Sequence, residues 1–246
     1  MKTRFRVVTT VAMFTALTGT AYADTVLETE TAELGQKGDW LVSQSIQYER
    51  APDGHSFATV TQFEYGITDR AEILIEPFFQ EWDHPKDGDA FHGMGDLEIT
   101  PSYMVVLEGD ALPAIVLAMK LKVPTGKKPD ISTGKTDFQP YVIIGKHFGD
   151  WTLNANFGVD LVSRVPGAGL RDQFIWDFSV QRTLTENLSV FAEMFGNSSP
   201  AIGEKGTVAG AVAMEYQLGK HCNVFLSVGY DSDKVVTLRP GFNVFF

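Results

Sequence analysis

The sequence predicts an all-β fold, a closed antiparallel up-and-down transmembrane β-barrel of about 12 strands. Three observations support this prediction: apolar and polar residues alternate with a period of two, short connections alternate with longer ones, and the chain ends on an alternating apolar strand. A sheet crosses a bilayer only when it closes on itself, because every backbone N–H and C=O must find a partner within the protein. A tilted strand needs about 10 residues to cross the apolar band, and the predicted strands have this length.

The first residues are predicted to be a secretory signal peptide. Basic side chains within residues 2–6 precede an apolar stretch at 7–17, and Ala21-Tyr22-Ala23 follows. A basic start, a short apolar middle and an A-x-A end are typical of such a leader, whereas a spanning anchor would need about 20 apolar residues. We therefore expect residues 1–23 to be removed during export and the mature protein to reach the bacterial outer membrane.

The segment between the leader and the first strand, residues 24–38, is acidic and lacks alternation. Because a strand signal is absent, this segment is not expected to belong to the barrel wall. It either extends into the periplasm or folds into the lumen as a plug, and the sequence leaves both interpretations open. The barrel itself is predicted to occupy residues 39–246.

The individual strands are recognised by their alternation. From Trp151 to Leu161, one face carries Trp, Leu, Ala, Phe, Val and Leu, and the other carries Thr, Asn, Asn, Gly and Asp. Such a pattern is expected where one face meets lipid and the other faces the lumen. The same criterion predicts strands near 39–49, 56–66, 71–81, 96–107, 113–123, 137–148, 151–162, 172–183, 188–196, 206–218, 222–230 and 235–246.

The connections and the chain end fit the same architecture. Four connections are long and rich in Gly, Pro or Asp, at 82–95, 124–136, 163–171 and 197–205, whereas most of the others are short. Aromatic residues gather near the strand ends, as two interfacial girdles require. The terminal Phe246 resembles the signal that the outer-membrane assembly machinery recognises. A periplasmic β-sandwich would also alternate, but its edge strands would be more polar.

The composition excludes several classes of function. The 246 residues include 20 Lys and Arg against 31 Asp and Glu, and the formal charge of −11 argues against a nucleic-acid partner. The single cysteine excludes an intramolecular disulfide framework and a cysteine-based zinc site. No nucleophile motif accompanies the histidines, so we expect neither catalysis nor a cofactor.

Four segments carry a resemblance to a known family: Glu64-Tyr-Gly-Ile-Thr-Asp-Arg70, Gly93-Met-Gly-Asp-Leu-Glu-Ile99, Lys120-Leu-Lys-Val-Pro-Thr-Gly126 and Asn154-Ala-Asn-Phe-Gly158. In this order they resemble the family of outer-membrane barrels named for the MetA pathway of phenol degradation. The resemblance covers most of the mature chain. It implies a β-barrel and the passage of small, often aromatic or hydrophobic compounds, and it transfers no catalytic residue.

Residues of the polar parity are predicted to line the lumen. Nine acidic and three basic side chains have this parity, and they would form either a cation-biased pore or an interior packed with ion pairs that plugs itself. A turn centred on Asp110 would place Glu98 opposite Lys122. The predicted lumen-lining residues are Glu64, Glu72, Glu76, Asp96, Glu98, Lys120, Lys122, Asp160, Asp177, Glu193, Glu215 and Arg239.

Two prolines interrupt predicted strands on the lipid-facing parity. Pro77 and Pro101 each lack the N–H that a ladder hydrogen bond needs. The third and fourth strands, which carry them, are predicted neighbours, so two defects at similar depth would weaken one seam and form a lateral exit for a hydrophobic solute. Alternatively, both prolines sit at bulges that open nothing.

His84 and His92 share a predicted loop with Asp83, Asp87 and Asp89. Imidazoles and carboxylates together are suitable ligands for a divalent cation, whereas a solvated acidic loop would carry the same residues. We favour the solvated loop and expect no metal site.

The sequence as a whole predicts an outer-membrane channel or transporter for small solutes, hydrophobic or aromatic solutes among them. A structural or adhesive barrel without a pore is an alternative, and an outer-membrane enzyme is a less favoured one. The expected partners are outer-membrane lipid and lipopolysaccharide, the outer-membrane assembly machinery and a small-molecule solute.

Overall fold

A computed structural model describes residues 28–126 and 131–246, and for residues 77–79 it describes the backbone alone. The predicted signal peptide and residues 24–27 lie outside the described residues. The described chain is all-β, as predicted. Its strands are β1 Trp40–Ala51, β2 Gly54–Thr68, β3 Ala71–Pro85, β4 Phe91–Met94, β5 Leu97–Val106, β6 Ala114–Val123, β7 Asp137–Phe148, β8 Trp151–Asp160, β9 Gln173–Thr185, β10 Leu188–Asn197, β11 Val208–Gln217, β12 Cys222–Asp231 and β13 Val236–Phe245.

Antiparallel pairing closes twelve of these strands into a ring. Each strand pairs with the next along the chain, except that β3 pairs with both β4 and β5, and β13 returns to β1. At the closure, Leu41 lies opposite Phe245, and the backbones of Trp40 and Phe246 exchange two hydrogen bonds. The short strand β4 pairs with β3 beyond the ring. The predicted closed barrel is therefore confirmed.

Side chains on the two faces of the wall differ in polarity. Along β12, Val224, Leu226 and Val228 are exposed, whereas Asn223 and Ser227 are buried. An exposed apolar face is the expected outer surface of a barrel in lipid, and the buried polar face points into the lumen. The fold is thus a polar interior surrounded by an apolar wall.

The two ends of the barrel carry different connections. The short connections 69–70, 107–113, 149–150, 186–187 and 218–221 lie at one end together with Trp40 and Phe246, and we call this the turn end. The remaining connections, including 86–90, 124–136, 161–172 and 198–207, lie at the opposite end, which we call the loop end. In outer-membrane barrels the short turns face the periplasm and the longer loops face the exterior.

The loop predicted at 82–95 is largely a hairpin instead. β3 continues to Pro85 and β4 returns along it, so His84 and His92 lie on strands. The prediction is wrong because β2 begins at Gly54, earlier than its alternation suggested, and therefore supplies β3 with a partner as far as Pro85.

The wall is irregular around Pro77. The pairing of β3 with β5 stops at Glu76, and its pairing with β4 begins only at Gln80. The register of β3 against β2 shifts at the same place. Pro101 lies opposite Ile73, four residues closer to the turn end than Pro77. The two prolines therefore share one seam, but they do not lie at the similar depth that was predicted.

Candidate functional site

Residues 28–38, which we call the luminal segment, cross the inside of the barrel from the middle of the wall to the turn end. Thr29, Glu30 and Ala32 are each at most 2% exposed, although the segment has no regular strand pairing. Its contacts come from inward-facing side chains of β3, β7, β8, β10 and β13. These strands lie around the whole ring, so the segment passes through the lumen.

Polar side chains of the wall hold the backbone of this segment. Glu193 accepts hydrogen bonds from the backbone N–H of Glu28 and Thr29 at 3.0 and 2.9 Å. Glu72 accepts one from the N–H of Gly35 at 2.6 Å. The segment therefore donates hydrogen bonds to carboxylates that are buried inside the barrel.

Side chains of the luminal segment also bind the wall directly. Arg239 of β13 forms an ion pair with Glu28 and donates to Gln47 of β1 at 2.6 Å. The hydroxyl of Tyr141 donates to the carboxylate of Glu30 at 2.6 Å. Opposite sides of the barrel are thus linked through the segment in their middle.

An apolar contact completes the docking. Ala32 and Leu34 pack in one cluster with Val116 and Ile143, which point inward from β6 and β7. Inward-facing apolar residues on these two strands would be exposed to a water-filled lumen without the segment. Burial of such side chains favours the docked state by the hydrophobic effect.

Two glycines of the wall make room for the segment. A Cβ at Gly66 of β2 would overlap the backbone carbonyl oxygen of Gln36, and a Cβ at Gly145 of β7 would lie 2.7 Å from the Cβ of Ala32. Both positions have inward parity, where other residues carry side chains. The wall is therefore shaped to receive this segment closely.

At the turn end, Glu108 joins three parts of the structure. It accepts hydrogen bonds from the backbone N–H of His147 at 3.0 Å and from Lys146 at 2.9 Å, and the His147 ring also contacts Glu33 of the luminal segment. Desolvation alone would raise the pKa of Glu108, but the hydrogen bonds with His147 and Lys146 outweigh it and lower the pKa to about 2. The contribution of this ionised carboxylate to the stability of the fold is therefore fully present at neutral pH. It is lost as the pH falls from the ordinary pKa of Glu, 4.5, towards 2.

The predicted lumen residues of β3, β5 and β6 form an ion-pair network. Lys120 lies 3.0 Å from Glu98 and 3.7 Å from Glu76, and Lys122 contacts Asp96 and Asp137. Glu98 and Lys122 are Cα partners, so the predicted register is confirmed. In this part of the interior each lysine is shared between two acids.

The other predicted lumen residues also have inward parity. Asp160 accepts a hydrogen bond from Gln173 at 3.3 Å. Asp177 and Glu215, which are at most 4% exposed, each keep one buried carboxylate oxygen without a hydrogen-bond partner among the described residues. The other predicted lumen-lining residues that are buried on the inner face of the wall are Glu64, Glu72, Glu193 and Arg239. The interior therefore has an excess of acidic groups.

The sequence did not single out several residues that hold the luminal segment. Tyr141 has the inward parity of Asp137 and Gln139, and this parity was the available signal. His147 belonged to no motif in the sequence, and Gly66 lies in a segment that carries the family resemblance. Their role depends on a segment without periodicity, so the strand pattern could not reveal it.

A metal-ligating cluster and a membrane-spanning helix are both absent from the described residues. No cluster of three or more His, Cys, Asp or Glu side chains there could hold a metal ion. Cys222 is a half-buried free thiol. The described residues contain no helix that is long and apolar enough to cross a bilayer.

Replacing Gly66 with alanine should release the luminal segment. The new Cβ overlaps the backbone at Gln36, so we expect the amides of Ala32 and Gly35 to exchange hydrogen about tenfold faster than in the wild type. Gly210→Ala is the matched control, because a Cβ there has its nearest neighbour at 3.5 Å. Equal exchange rates in the two variants, measured by mass spectrometry, would show that Gly66 does not shape the docking.

Known structures share this architecture. An outer-membrane channel from Pseudomonas putida F1 superimposes with a TM-score of 0.69 at 14% identity, over 87% of this chain and 98% of that chain. The NanC porin and the KdgM porin give TM-scores of 0.61 and 0.58 at 12% and 13% identity, each over 82% of this chain and 98% of the porin.

At such identities these likenesses establish the fold alone, that of outer-membrane barrels. No curated protein matches the sequence. The model of a family described as "Putative MetA-pathway of phenol degradation" matches residues 54–245, which is most of the chain. The chain therefore belongs to this family of β-barrels, as the resemblance of its motifs predicted.

Proposed function

We propose that the protein is an outer-membrane channel for small solutes and that the luminal segment closes it. One observation carries this proposal: a segment of the chain fills a polar lumen and is held there mostly by hydrogen bonds and ion pairs with the wall. A barrel with a purely structural role has no need of a polar interior that is occupied by a separate segment of the chain. The structural likeness to channels and porins supports the same interpretation.

In this proposal the described conformation, with the luminal segment inside the barrel, is the closed state. Asn156, Asn223 and Asn243, on three different strands, point inward and are completely inaccessible to solvent. Passage of a solute therefore requires the luminal segment to leave or to shift. Each polar anchor contributes only about 0.5–1.5 kcal/mol net, because water can replace it once the lumen opens. A segment anchored in this way is suited to reversible displacement.

The charge of the interior favours cationic or polar solutes in the open state. The lysines of the network are already shared by acids, whereas Asp177 and Glu215 each retain one oxygen that no described residue bonds. An acidic lumen attracts cations and repels anions. The passage of hydrophobic or aromatic solutes, which the family name suggests, would need a less polar route.

Export and assembly form the cellular part of this proposal. The leader at residues 1–23 would direct the chain across the inner membrane of a Gram-negative cell and then be removed. Phe246 follows β13 at the turn end, and its backbone is bonded to Trp40 while its side chain is 73% exposed. An exposed terminal aromatic is accessible to the outer-membrane assembly machinery.

Removal of the luminal segment should open the channel. We expect mature protein that lacks residues 24–34 to show several-fold higher conductance in planar bilayers than the complete mature chain, because the deletion removes the contacts to Glu193, Tyr141 and Arg239.

A chain in which residues 24–34 are replaced by Gly and Ser at equal length is the matched control for length. It should conduct like the deletion variant, and both variants should still migrate faster on SDS gels before boiling than after. If both are folded and conduct no more than the wild type, the proposed channel closed by this segment is wrong.

Asp177 and Glu215 should set the ion selectivity of the open form. In the deletion variant, Asp177→Asn combined with Glu215→Gln should lower the permeability ratio of K⁺ to Cl⁻, as reversal potentials in a KCl gradient would show. Glu186→Gln, in the exposed β9–β10 turn, should leave the ratio unchanged. An unaltered ratio in the double variant would mean that these acids do not line the pathway.

A lateral route for apolar solutes is a further part of the proposal. The ladder between β3 and its neighbour is interrupted from Pro77 to residue 79, opposite residues 95–97. Beside this interruption, the N–H of Leu97 is bonded at 2.9 Å to the hydroxyl of Thr125, which follows β6. A wall without ladder bonds at this point is the easiest place to part. Because Pro101 lies opposite Ile73, four residues closer to the turn end, the interruption of the ladder is limited to the region of Pro77.

A disulfide across this seam tests the lateral route. In a Cys222→Ser background, Ile75→Cys with Ile99→Cys joins Cα partners next to the interruption, and Ile144→Cys with Ala155→Cys joins partners of the regular β7–β8 seam. Oxidation of the first pair should reduce uptake of an apolar solute into liposomes without changing K⁺ conductance. The second pair should change neither. Unaltered apolar uptake in the first variant would overturn the lateral route.

A further inference from the structure

Charged side chains on the strands of this barrel almost all point into the lumen. Those on the outward face are cationic or imidazole groups, and in the described strands the outward parity carries no acid. Two of them, Lys146 and Arg182, lie near the turn end. The others lie together at the loop end and are Arg50, His55, His84 and His92.

The loop-end residues form a continuous row across neighbouring strands. Arg50 of β1 is the Cα partner of His55 of β2, which is the Cα partner of His84 of β3. The rings of His55 and His84 are stacked with centroids 5.0 Å apart and an interplanar angle of 13°. All three side chains are exposed. We call Arg50, His55 and His84 the cationic row.

A row of aromatic residues lies directly beneath the cationic row. Tyr48, Phe57 and Trp82 are cross-strand partners two residues closer to the middle of the barrel. The rings of Tyr48 and Phe57 are 4.8 Å apart, and Phe57 packs edge-on against His55 at 6.1 Å. Tyr and Trp on the outer face of a membrane barrel mark the boundary between acyl chains and headgroups. The cationic row is therefore placed at the level of the headgroups.

We propose that the cationic row binds the phosphorylated headgroup of a membrane lipid in the leaflet around the loop end. A guanidinium donates two parallel hydrogen bonds to a phosphate, and each imidazole can supply one more donor. The stacking of His55 on His84 directs both rings to the same region. This inference rests on the membrane-spanning barrel of the proposed function, but not on its conduction.

The position of the row favours a lipid over free phosphate. The chain carries a formal charge of −11, so the field of the whole molecule repels soluble anions. A lipid is already concentrated in the membrane and gains a second contact, because its acyl chains can pack on Tyr48 and Phe57 below the headgroup. Apart from His92 on β4, the rest of the outward loop-end face of the described strands is apolar or uncharged, which confines the site to β1–β4.

Native mass spectrometry of the complete mature protein in detergent tests this site. The probes are bisphosphorylated lipid A, the same lipid without phosphates, and inorganic phosphate. We expect the wild type to retain bisphosphorylated lipid A, to retain the dephosphorylated lipid at least about tenfold less, and to show no displacement by equimolar inorganic phosphate.

The variant Arg50→Gln, His55→Gln, His84→Gln should bind bisphosphorylated lipid A about tenfold more weakly than the wild type. Arg182→Gln is the matched control, since Arg182 is an outward-facing exposed arginine at the opposite end, stacked on Trp151. It should keep wild-type affinity. The proposal would be overturned if the triple variant bound bisphosphorylated lipid A as tightly as the wild type does. It would also be overturned if the wild type bound the dephosphorylated lipid equally well.

The outcome is separable from that of the channel proposal. The triple variant should conduct like the wild type, because the cationic row lies outside the lumen. Loss of lipid binding with unchanged conductance supports the site, whereas failure of every variant to conduct would count against the channel alone.

Discussion

The pairing of every backbone N–H and C=O within the wall is the constraint on which the rest of this structure depends. In hydrocarbon an unpaired group costs several kcal/mol, so the sheet must close, and β13 returns to β1. Closure fixes the parity of all strands at once: apolar residues meet lipid and polar residues are forced inside. A lumen rich in carboxylates is therefore a consequence of the apolar outer surface. These buried carboxylates need hydrogen-bond or ion-pair partners.

The luminal segment supplies several of these partners. Glu193 and Glu72 bind backbone N–H groups of this segment, and Arg239 binds its Glu28, so acids that would be costly inside a narrow barrel receive partners. Because most of these partners are polar, water can replace them when the segment leaves. A lumen filled by side chains of the wall alone would have no comparable way to open. In the proposed channel, the same contacts would stabilise the closed state and would also allow it to open reversibly.

The wall is not uniform around the ring. β7 to β13 are paired regularly, apart from one shift at the start of β10, whereas β3 carries the interruption near Pro77 and extends beyond it with β4 as an added partner. Of the outward histidines, His84 and His92 lie on this extension, and His55 lies on the adjoining part of β2. Irregular pairing and the outward charge of the loop end therefore occur on the same side of the barrel, between β1 and β5. The described outward face of the other side is apolar apart from Lys146 and Arg182 near the turn end.

The sequence by itself determined the number of barrel strands, their parity and the register of β5 with β6, because these depend on a period of two and on short turns that leave few alternatives. Glu98 opposite Lys122 is an example. Only the tertiary structure decided where residues 28–38 lie, since a segment without periodicity takes its place from partners on five distant strands. It also decided the extension of β3 and the row from Arg50 to His84, because these depend on how far neighbouring strands overlap. Local pattern fixes which face a residue occupies, whereas its contacts across the ring depend on closure of the whole barrel.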